Sequence, residues 1–384
     1  MLNFSYYNPV NIVFGKDTIS KLPELIPNNF RTLILYGGGS IKKNNVYDQV
    51  MLALNGYDIY EFSGIEPNPS YETCMEAVKL VKEKNINFLL SVGGGSVLDA
   101  TKFIAAAAKF DDGDPWKMLS EAAEIKSVLP LGSVITLPAT GSEMNSNAVL
   151  SRKLTAEKLA LKNPMVFPQF SIIDPQTTYS LPKRQIINGI VDTYIHVTEQ
   201  YITYDLKSLL QDRQAEAILL TLREIAQDVI NKPDDYDTRA NFFWCASQAL
   251  NGLICCGVIF DGTTHKIGHE LTAFYGMDHA QSIAVVLPRV WQNQKSSKKD
   301  KLLQYGRRVL GINENNECKA IDQIINETEL FFNSLGMKTK LSDHKIDSRE
   351  AAEKICNRFT ERGSLLGEKQ LVTPNDVKEI LLHS

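Results

Sequence analysis

Four of the six histidines fall in two short stretches, spaced as side chains gathered on helix faces would be. In Val191-Asp192-Thr193-Tyr194-Ile195-His196 a carboxylate and an imidazole stand at i and i+4, so within a helix they project from one face. The stretch Asp261 to Glu270 places His265 and His269 at the same spacing, and His279 opens the next apolar run. A lone histidine at such a place is more often a hydrogen-bonded structural residue than a ligand. Two such pairs in one helical region, with His279 close by, converge on several neutral nitrogens and one carboxylate. That donor set suits Fe2+, Zn2+ or a related divalent ion. Spacing does not say which histidine is the spare. His344 and His383 stand in polar C-terminal surroundings and read as surface residues.

A second chemistry is written in glycine. The apolar run Arg31 to Tyr36 ends in Gly37-Gly38-Gly39-Ser40, and the run Asn87 to Val92 ends in Gly93-Gly94-Gly95-Ser96. A strand that runs through glycines into a helix exposes backbone N–H groups at the helix N-terminus, where an anion such as phosphate is favoured. Either loop alone could be a tight turn, but two in consecutive βαβ units point to a dinucleotide, although neither matches GxGxxG. At the first loop, Gly38, Gly39 and Ser40 stand with Lys42 and Lys43 just beyond, offering a serine hydroxyl and a lysine to an extra 2′-phosphate. This favours NADP(H), with NAD(H) the alternative and solvated lysines the bland reading.

These groups need elements to hold them. The first 180 residues alternate short apolar runs with amphipathic stretches such as Tyr71 to Lys84, and further runs lie at Val134 to Leu137 and Phe170 to Ile173. That alternation predicts a mainly parallel sheet with helices on both faces. From residue 181 the segments read as helices: Gln185 to Tyr201, Leu206 to Val229, Ala240 to Cys256, Lys319 to Leu335, Ser348 to Phe359 and Pro374 to Leu382. The expected organisation is a Rossmann-like dinucleotide-binding α/β domain over 1–180 and an all-α metal and substrate domain over 181–384.

Composition excludes several other classes. The chain has 384 residues, 43% hydrophobic and 22% charged, with a formal net charge of -4. This is an ordinary globular balance, without the basic field a nucleic acid would require. The Lys-rich piece from Lys295 to Lys301 is short and interrupted by Asp300, and reads as a solvated loop. The N-terminus lacks a signal-peptide pattern, and no run approaches the roughly 20 apolar residues of a membrane span. The six cysteines contain no CxxC pair, so a reduced, cytoplasmic setting is expected and a structural zinc knuckle is not.

Motifs running from end to end carry a resemblance: FxYYNPxxIxFG at Phe4–Gly15, YGGGSIKK at Tyr36–Lys43, EPNP at Glu66–Pro69, GGGSVLDATK at Gly93–Lys102 and LPATGSEMN at Leu137–Asn145. They continue with NGIVDTYIHVTEQY at Asn188–Tyr201 and THKIGHELTAFYGMDHAQSIA at Thr264–Ala284. The whole chain resembles the iron-containing (group III) alcohol dehydrogenase family. Within it, the chain is most similar to the bacterial NADPH-dependent butanol dehydrogenase or broad-range aldehyde reductase branch. The fold this implies is the dehydroquinate synthase-like architecture of an α/β domain followed by an all-α one. The resemblance implies Asp192, His196, His265 and His279 as ligands of one Fe2+ or Zn2+, and His269 as a non-ligand histidine near substrate, for proton relay or orientation. It implies cofactor contacts from Gly38, Gly39, Ser40, Asn68, Gly94, Gly95, Ser96, Asp99, Thr136, Thr140 and Lys158. It also implies small alcohols and aldehydes such as butanol and butanal as substrates, and a homodimer or larger assembly, with the tyrosine-rich N-terminal segment either pairing across the dimer or serving as an edge covered by a helix.

Two rival readings keep the fold. A dehydroquinate synthase-like lyase would need a cluster of cations for a phosphorylated, carboxylated substrate. The ligand motifs here are accompanied by Tyr194, Trp244, Phe260, Phe274 and Tyr275, which suit an apolar aldehyde unless they are plain core. A non-catalytic nucleotide- or metal-binding protein would be expected to have lost ligands, and all four stand in the sequence. Asn147 offers either a polar contact in the pocket or a turn.

Overall fold

The computed structural model describes residues 1–384. Six strands form one parallel sheet: β1 (Asn11–Phe14), β2 (Arg31–Leu35), β3 (Asp58–Phe62), β4 (Phe88–Gly93), β5 (Leu131–Ile135) and β8 (Phe170–Ile173). Between the last two in sequence, β6 (Asn147–Arg152) and β7 (Glu157–Lys162) form a separate antiparallel hairpin. The strands carry side chains to two cores. Leu33 and Leu35 of β2 and Leu89 of β4 face one core, whereas Ile34, Phe88, Leu90 and Val92 face the other. Burial on both faces is why these strands read as unbroken apolar runs rather than alternating ones.

Helices fill both layers. α3 (Tyr71–Glu83) buries Cys74, Ala77, Val78 and Val81 at i, i+3, i+4 and i+7, and starts where the Ser70 hydroxyl accepts from the Thr73 N–H. It lies on the first core with α4 (Gly95–Ala107), and the short α5 (Lys117–Ser120) adds Met118. α1 (Leu22–Leu25) and α2 (Val46–Ala53) cover the opposite core with Leu22, Val46 and Val50.

The sheet order is β1-β8-β5-β4-β2-β3. The chain steps outward from β2 to β3 and then returns to lay β4 on the other side of β2. The connections after β2 and β4 therefore diverge, and the carboxyl ends of these neighbours form the topological switch point at which open α/β sheets bind ligands. Both glycine loops lie there.

The rest of the chain is helical: α6 (Lys183–Tyr201), α7 (Leu209–Asn231), α8 (Tyr236–Ala249), α9 (Thr263–Tyr275), α10 (His279–Asn293), α11 (Lys299–Tyr305), α12 (Glu317–Leu335), α13 (Ser348–Glu361) and α14 (Pro374–Leu382). Two compact units result. One comprises Tyr7–Pro182 with Asn231–Ser247, the other Met1–Tyr6, Lys183–Ile230 and Gln248–Ser384. Most of α8 thus belongs with the sheet, where Phe243 enters the first core and Trp244 meets Phe14 edge-on. No helix is long and apolar enough to cross a membrane.

Several local expectations change. The helix expected over Ala240–Cys256 ends at Ala249, and Gly252 just beyond adopts a φ of 88°. The strand expected at Val134–Leu137 runs from Leu131 to Ile135. The Lys295–Lys301 piece is no solvated loop. Lys298 and Lys301 are buried, Lys298 paired with Asp261 and Glu368 and Lys301 with Asp212. Their carboxylate partners are distant in sequence, which a local charge pattern cannot reveal. His344 is half-buried rather than on the surface.

Candidate functional site

α6 is the spine of the candidate metal site. Asp192 and His196 lie one turn apart on its buried face, α9 contributes His265, and His279 is the first residue of α10. The Asp192 Oδ1 oxygen lies 3.6 Å from His196 Nε2, 3.8 Å from His265 Nε2 and 3.6 Å from His279 Nε2. All four donor atoms lie within 4.8 Å of one another. A tetrahedral ion with bonds near 2.1 Å needs donors about 3.4 Å apart; the three distances to Asp192 lie within a few tenths of an ångström of that, and the remaining pairs, no more than 4.8 Å apart, would draw in further around a first-row divalent metal. The buried Nε2 of His265 has no hydrogen-bond donor or acceptor partner, as a ligand nitrogen should not. These residues fit the ion that their chemistry implies.

A carboxylate that the sequence reading passed over orients the cluster. Glu199, one turn beyond His196, pairs with His265 Nδ1 and accepts from the Thr264 N–H at 2.7 Å, while its own carbonyl accepts from Asp261 N–H at 3.0 Å. With Nδ1–H donated to Glu199, the Nε2 lone pair of His265 faces the cluster. The signal was available, because Asp192, His196 and Glu199 follow i, i+4, i+7 on one face. Burial opposes a charge on His265, but Glu199 and Asp192 outweigh it and raise its pKa to about 9. The same negative field would favour a divalent cation, which has to displace the proton from Nε2 as it binds.

Neighbouring contacts hold α9 and α10 at this distance. A Cβ on Gly268 would come within 2.7 Å of the Ile283 side chain, so the two helices approach closely there. Gly276 ends α9 at a φ of 67°. Asp278, just before His279, accepts from Arg184 at 2.9 Å and Asn188 at 3.2 Å, fastening the α10 N-terminus to α6. Asp261 accepts from Thr263 at the start of α9 and pairs with Lys298 at 3.0 Å.

His269 stands beside the cluster rather than in it. Its ring centroid lies 6.4 Å from that of His265 and 5.4 Å from that of His279. Of the five aromatics, Phe260 alone is seen against a cluster residue, 6.3 Å from the His265 ring. Tyr194 is core, bonded to Tyr305 and packed on Phe331 and Phe332. Phe274 and Tyr275 pack under Lys354, with Arg358 also over Phe274. Trp244 lies in the other unit. The aromatic surround expected from sequence reduces to Phe260. Four cations close in sequence or contact to these helices are committed to carboxylates: Arg184 to Asp278, Lys298 to Asp261 and Glu368, and Arg358 and Arg362 to Glu270.

The two glycine loops lie in the sheet-bearing unit. A Cβ on Gly38 or Gly39 would meet nothing within 4 Å, so this backbone is open to a ligand, and the φ of 91° at Gly39 requires glycine. Ser40 opens a short 3-10 turn after it. Gly94 is the N-cap of α4, with Gly95 and Ser96 in its first turn. A Cβ on Gly95 would fall 2.3 Å from the Thr140 hydroxyl, so Thr140 lies directly on this loop. Thr136, following β5, donates its N–H to Gly93 at 2.9 Å. Asn68, at a φ of 55°, accepts from Lys158 of β7 at 2.8 Å, which joins two of the expected contacts. The Asp99 carboxylate accepts from the Ser142 hydroxyl at 2.7 Å and from the Val149 N–H at 2.9 Å. Asn147 opens β6, and its carbonyl accepts from Lys102.

The two lysines after the first loop differ. Lys42 lies over the rings of Tyr36 and Tyr47, and its ammonium is 3.6 Å from Glu61, to which both tyrosine hydroxyls donate. Lys43 is exposed.

Comparison with known proteins bears on both halves. Residues 9–175 match the family model for iron-containing alcohol dehydrogenase, and residues 186–384 match that for the Fe-containing alcohol dehydrogenase family, C-terminal. The chain is 51% identical to the NADPH-dependent aldehyde reductase YqhD of Escherichia coli, covering 97% of both chains. It is 39% identical to a probable NADH-dependent butanol dehydrogenase of Bacillus subtilis, covering 99% of both. The crystal structure of an NADH-dependent butanol dehydrogenase from Thermotoga maritima superposes with a TM-score of 0.95 at 36% identity, covering 99% of this chain and 98% of that one.

Proposed function

The chain belongs to the iron-containing alcohol dehydrogenase family, and from that premise we propose that it is a metal-dependent, NADP(H)-preferring alcohol dehydrogenase and aldehyde reductase. Its substrates are small primary alcohols and aldehydes such as butanol and butanal. The observation that carries this reading is the closure of Asp192, His196, His265 and His279 onto one point. We assign cofactor binding to the sheet-bearing unit and metal and substrate binding to the helical one.

Asp192, His196, His265 and His279 would hold one Fe2+ or Zn2+, with Glu199 fixing the His265 ring. The ion, when bound, supplies Lewis-acid polarisation of the substrate oxygen, and the nicotinamide supplies or accepts the hydride. The protein's part is to bind, orient and keep water out. N–H groups of the Gly37–Ser40 and Gly93–Ser96 loops would take the pyrophosphate, with Thr136, Thr140, Asn68 and Lys158 setting the rest of the cofactor. Phe260 presents an apolar ring beside His265 and disfavours water there. His269 would carry a proton to or from the substrate oxygen.

NADP(H) is preferred because Ser40 and Lys43 are exposed beyond an open glycine loop, and because the Escherichia coli relative is named for NADPH. The Bacillus and Thermotoga relatives are named for NADH, so cofactor choice turns on residues within a shared fold. We further infer a homodimer, since Phe4, Tyr6 and Tyr7 are exposed and β1 is an edge strand. Light scattering would read a single-chain mass if that is wrong.

The decisive experiment follows NADPH and NADH consumption with butanal after the metal is stripped and Fe2+ or Zn2+ restored, with His265→Ala in parallel. Metal-dependent turnover that prefers NADPH and collapses in the variant is expected. Absence of turnover across short aldehydes despite bound metal and cofactor would reject the dehydrogenase reading in favour of a lyase or a binding protein.

A further inference from the structure

Lys102 is among the most deeply buried side chains, with no exposed surface, yet it carries an ammonium. Around its Nζ lie the Ser142 carbonyl at 2.7 Å, the Ser142 hydroxyl at 2.7 Å, the Asn145 carbonyl at 2.9 Å, the Asn145 side-chain oxygen at 3.2 Å and the Asn147 carbonyl at 2.8 Å. Five oxygens around three N–H bonds is the arrangement of a coordinated cation rather than of a single hydrogen-bonded pair. The segment is closed on itself as well. Asn145 donates to the Gly141 carbonyl and accepts from Asn147 N–H, both at 2.9 Å, and Ser142 N–H donates to Thr140 Oγ1 at 3.2 Å. The same Ser142 hydroxyl that accepts from Lys102 donates to Asp99.

We propose that Lys102 is a positioning residue for the nicotinamide cofactor: its ammonium is the internal cation around which the Thr140–Asn147 segment is wound, holding Thr140 on Gly95 and Asp99 in place. This rests on reading Gly93–Ser96 as a cofactor loop. Thr140 and Asp99 are two of the residues expected to meet the cofactor; Lys102 hydrogen-bonds to neither, though its charge attracts that of Asp99. The ammonium acts through Ser142, which bonds Thr140 on one side and Asp99 on the other.

Energetics favour a geometric role over simple stabilisation. Taking an ammonium out of water is costly, and well-packed apolar replacements of buried charges are often neutral or stabilising. A methionine would fill the space, but it would leave three carbonyls and two side-chain oxygens facing one another with nothing between them. The segment would then rearrange to rehydrate them. Burial lowers the Lys102 pKa to about 8, against the opposing effects of Asp99 and Glu143.

The test measures NADPH binding by energy transfer from protein tryptophan to the nicotinamide, together with bound metal per chain and KM for NADPH and butanal. Lys102→Met is expected to raise the NADPH Kd and KM about 10- to 100-fold, while bound metal and the KM for butanal stay within about twofold. In Lys102→Ala, ammonium or methylammonium should recover a large part of the NADPH affinity, because a free cation can occupy the five-oxygen cage. A folded Lys102→Met with an NADPH Kd within about twofold of wild type overturns the proposal, as does a Lys102→Ala that none of these cations rescues. If neither lysine variant folds, Ser142→Ala decides: a Kd raised about three- to tenfold supports the relay through Ser142, and an unchanged Kd rejects it. Wild-type protein that binds neither nucleotide would overturn the proposed function and this inference together; binding that all variants retain overturns the inference alone.

Discussion

Glu199 would act on a metal held by the proposed ligands without touching it. By accepting from His265 Nδ1 it selects the tautomer and ring angle that present Nε2 to the cluster. Glu199→Gln keeps the size but weakens the acceptor, and should lower metal affinity about 10- to 100-fold, measured by competition with a chelator. Unchanged affinity would reduce Glu199 to a helix contact. The glycines give a second prediction of this kind. Gly38→Ala has room for its Cβ in the free protein, so thermal stability should hold while NADPH affinity falls if, as proposed, a phosphate approaches this loop. Gly95→Ala collides with Thr140 and should lose both. Equal NADPH affinity in Gly38→Ala and wild type would remove the first loop from the cofactor site.

Between elements, the spacing of α9 and α10 sets the distance from His265 to His279. Gly268→Val would push the Ile283 side chain away, at a cost of about 1–3 kcal/mol for overpacking, and should weaken metal binding without altering any ligand. Melting curves with and without Zn2+ would show this as a smaller metal-induced shift than in wild type. On α7, Glu216 is buried. Burial pushes its pKa up, but bonds from Arg308, Arg213 and Tyr201 more than offset this and hold it below the usual glutamate value. A depressed carboxylate contributes stability above its unfolded pKa, and that stability is lost as pH falls through the folded value. The melting-temperature gap between wild type and Glu216→Gln should therefore be full at pH 7 and shrink below about pH 4.5; a gap independent of pH would contradict the assignment.

For the whole molecule, the proposed assignment gives each compact unit its own ligand, and each ligand should then stabilise its own unit. A metal present at 100 times its Kd adds about 2.7 kcal/mol to the state that binds it. Hydrogen exchange should show metal protection concentrated in α6, α9 and α10, and NADPH protection in the loops after β2, β4 and β5. Metal protection spread evenly over both units would argue that they unfold as one.

Much of this was legible in local pattern. The strands were readable because a doubly covered strand is an unbroken apolar run, and the glycine loops because each follows such a strand directly. Asp192 and His196 were readable because four residues is about one helical turn, and the family motifs separated His265 and His279 from His269. What stayed hidden depends on partners far along the chain. Glu199 meets His265 66 residues later, Lys102 meets Ser142 40 residues later, and Lys298 meets Glu368 after 70. The β6–β7 hairpin carries Lys158 to Asn68, and α8 joins the sheet-bearing unit after two intervening helices. The sequence by itself determined which residue types stand on which local face, because helix and strand periods are short. Only the tertiary structure decided which buried charges face each other, because that depends on how distant segments pack and not on the spacing within any one of them.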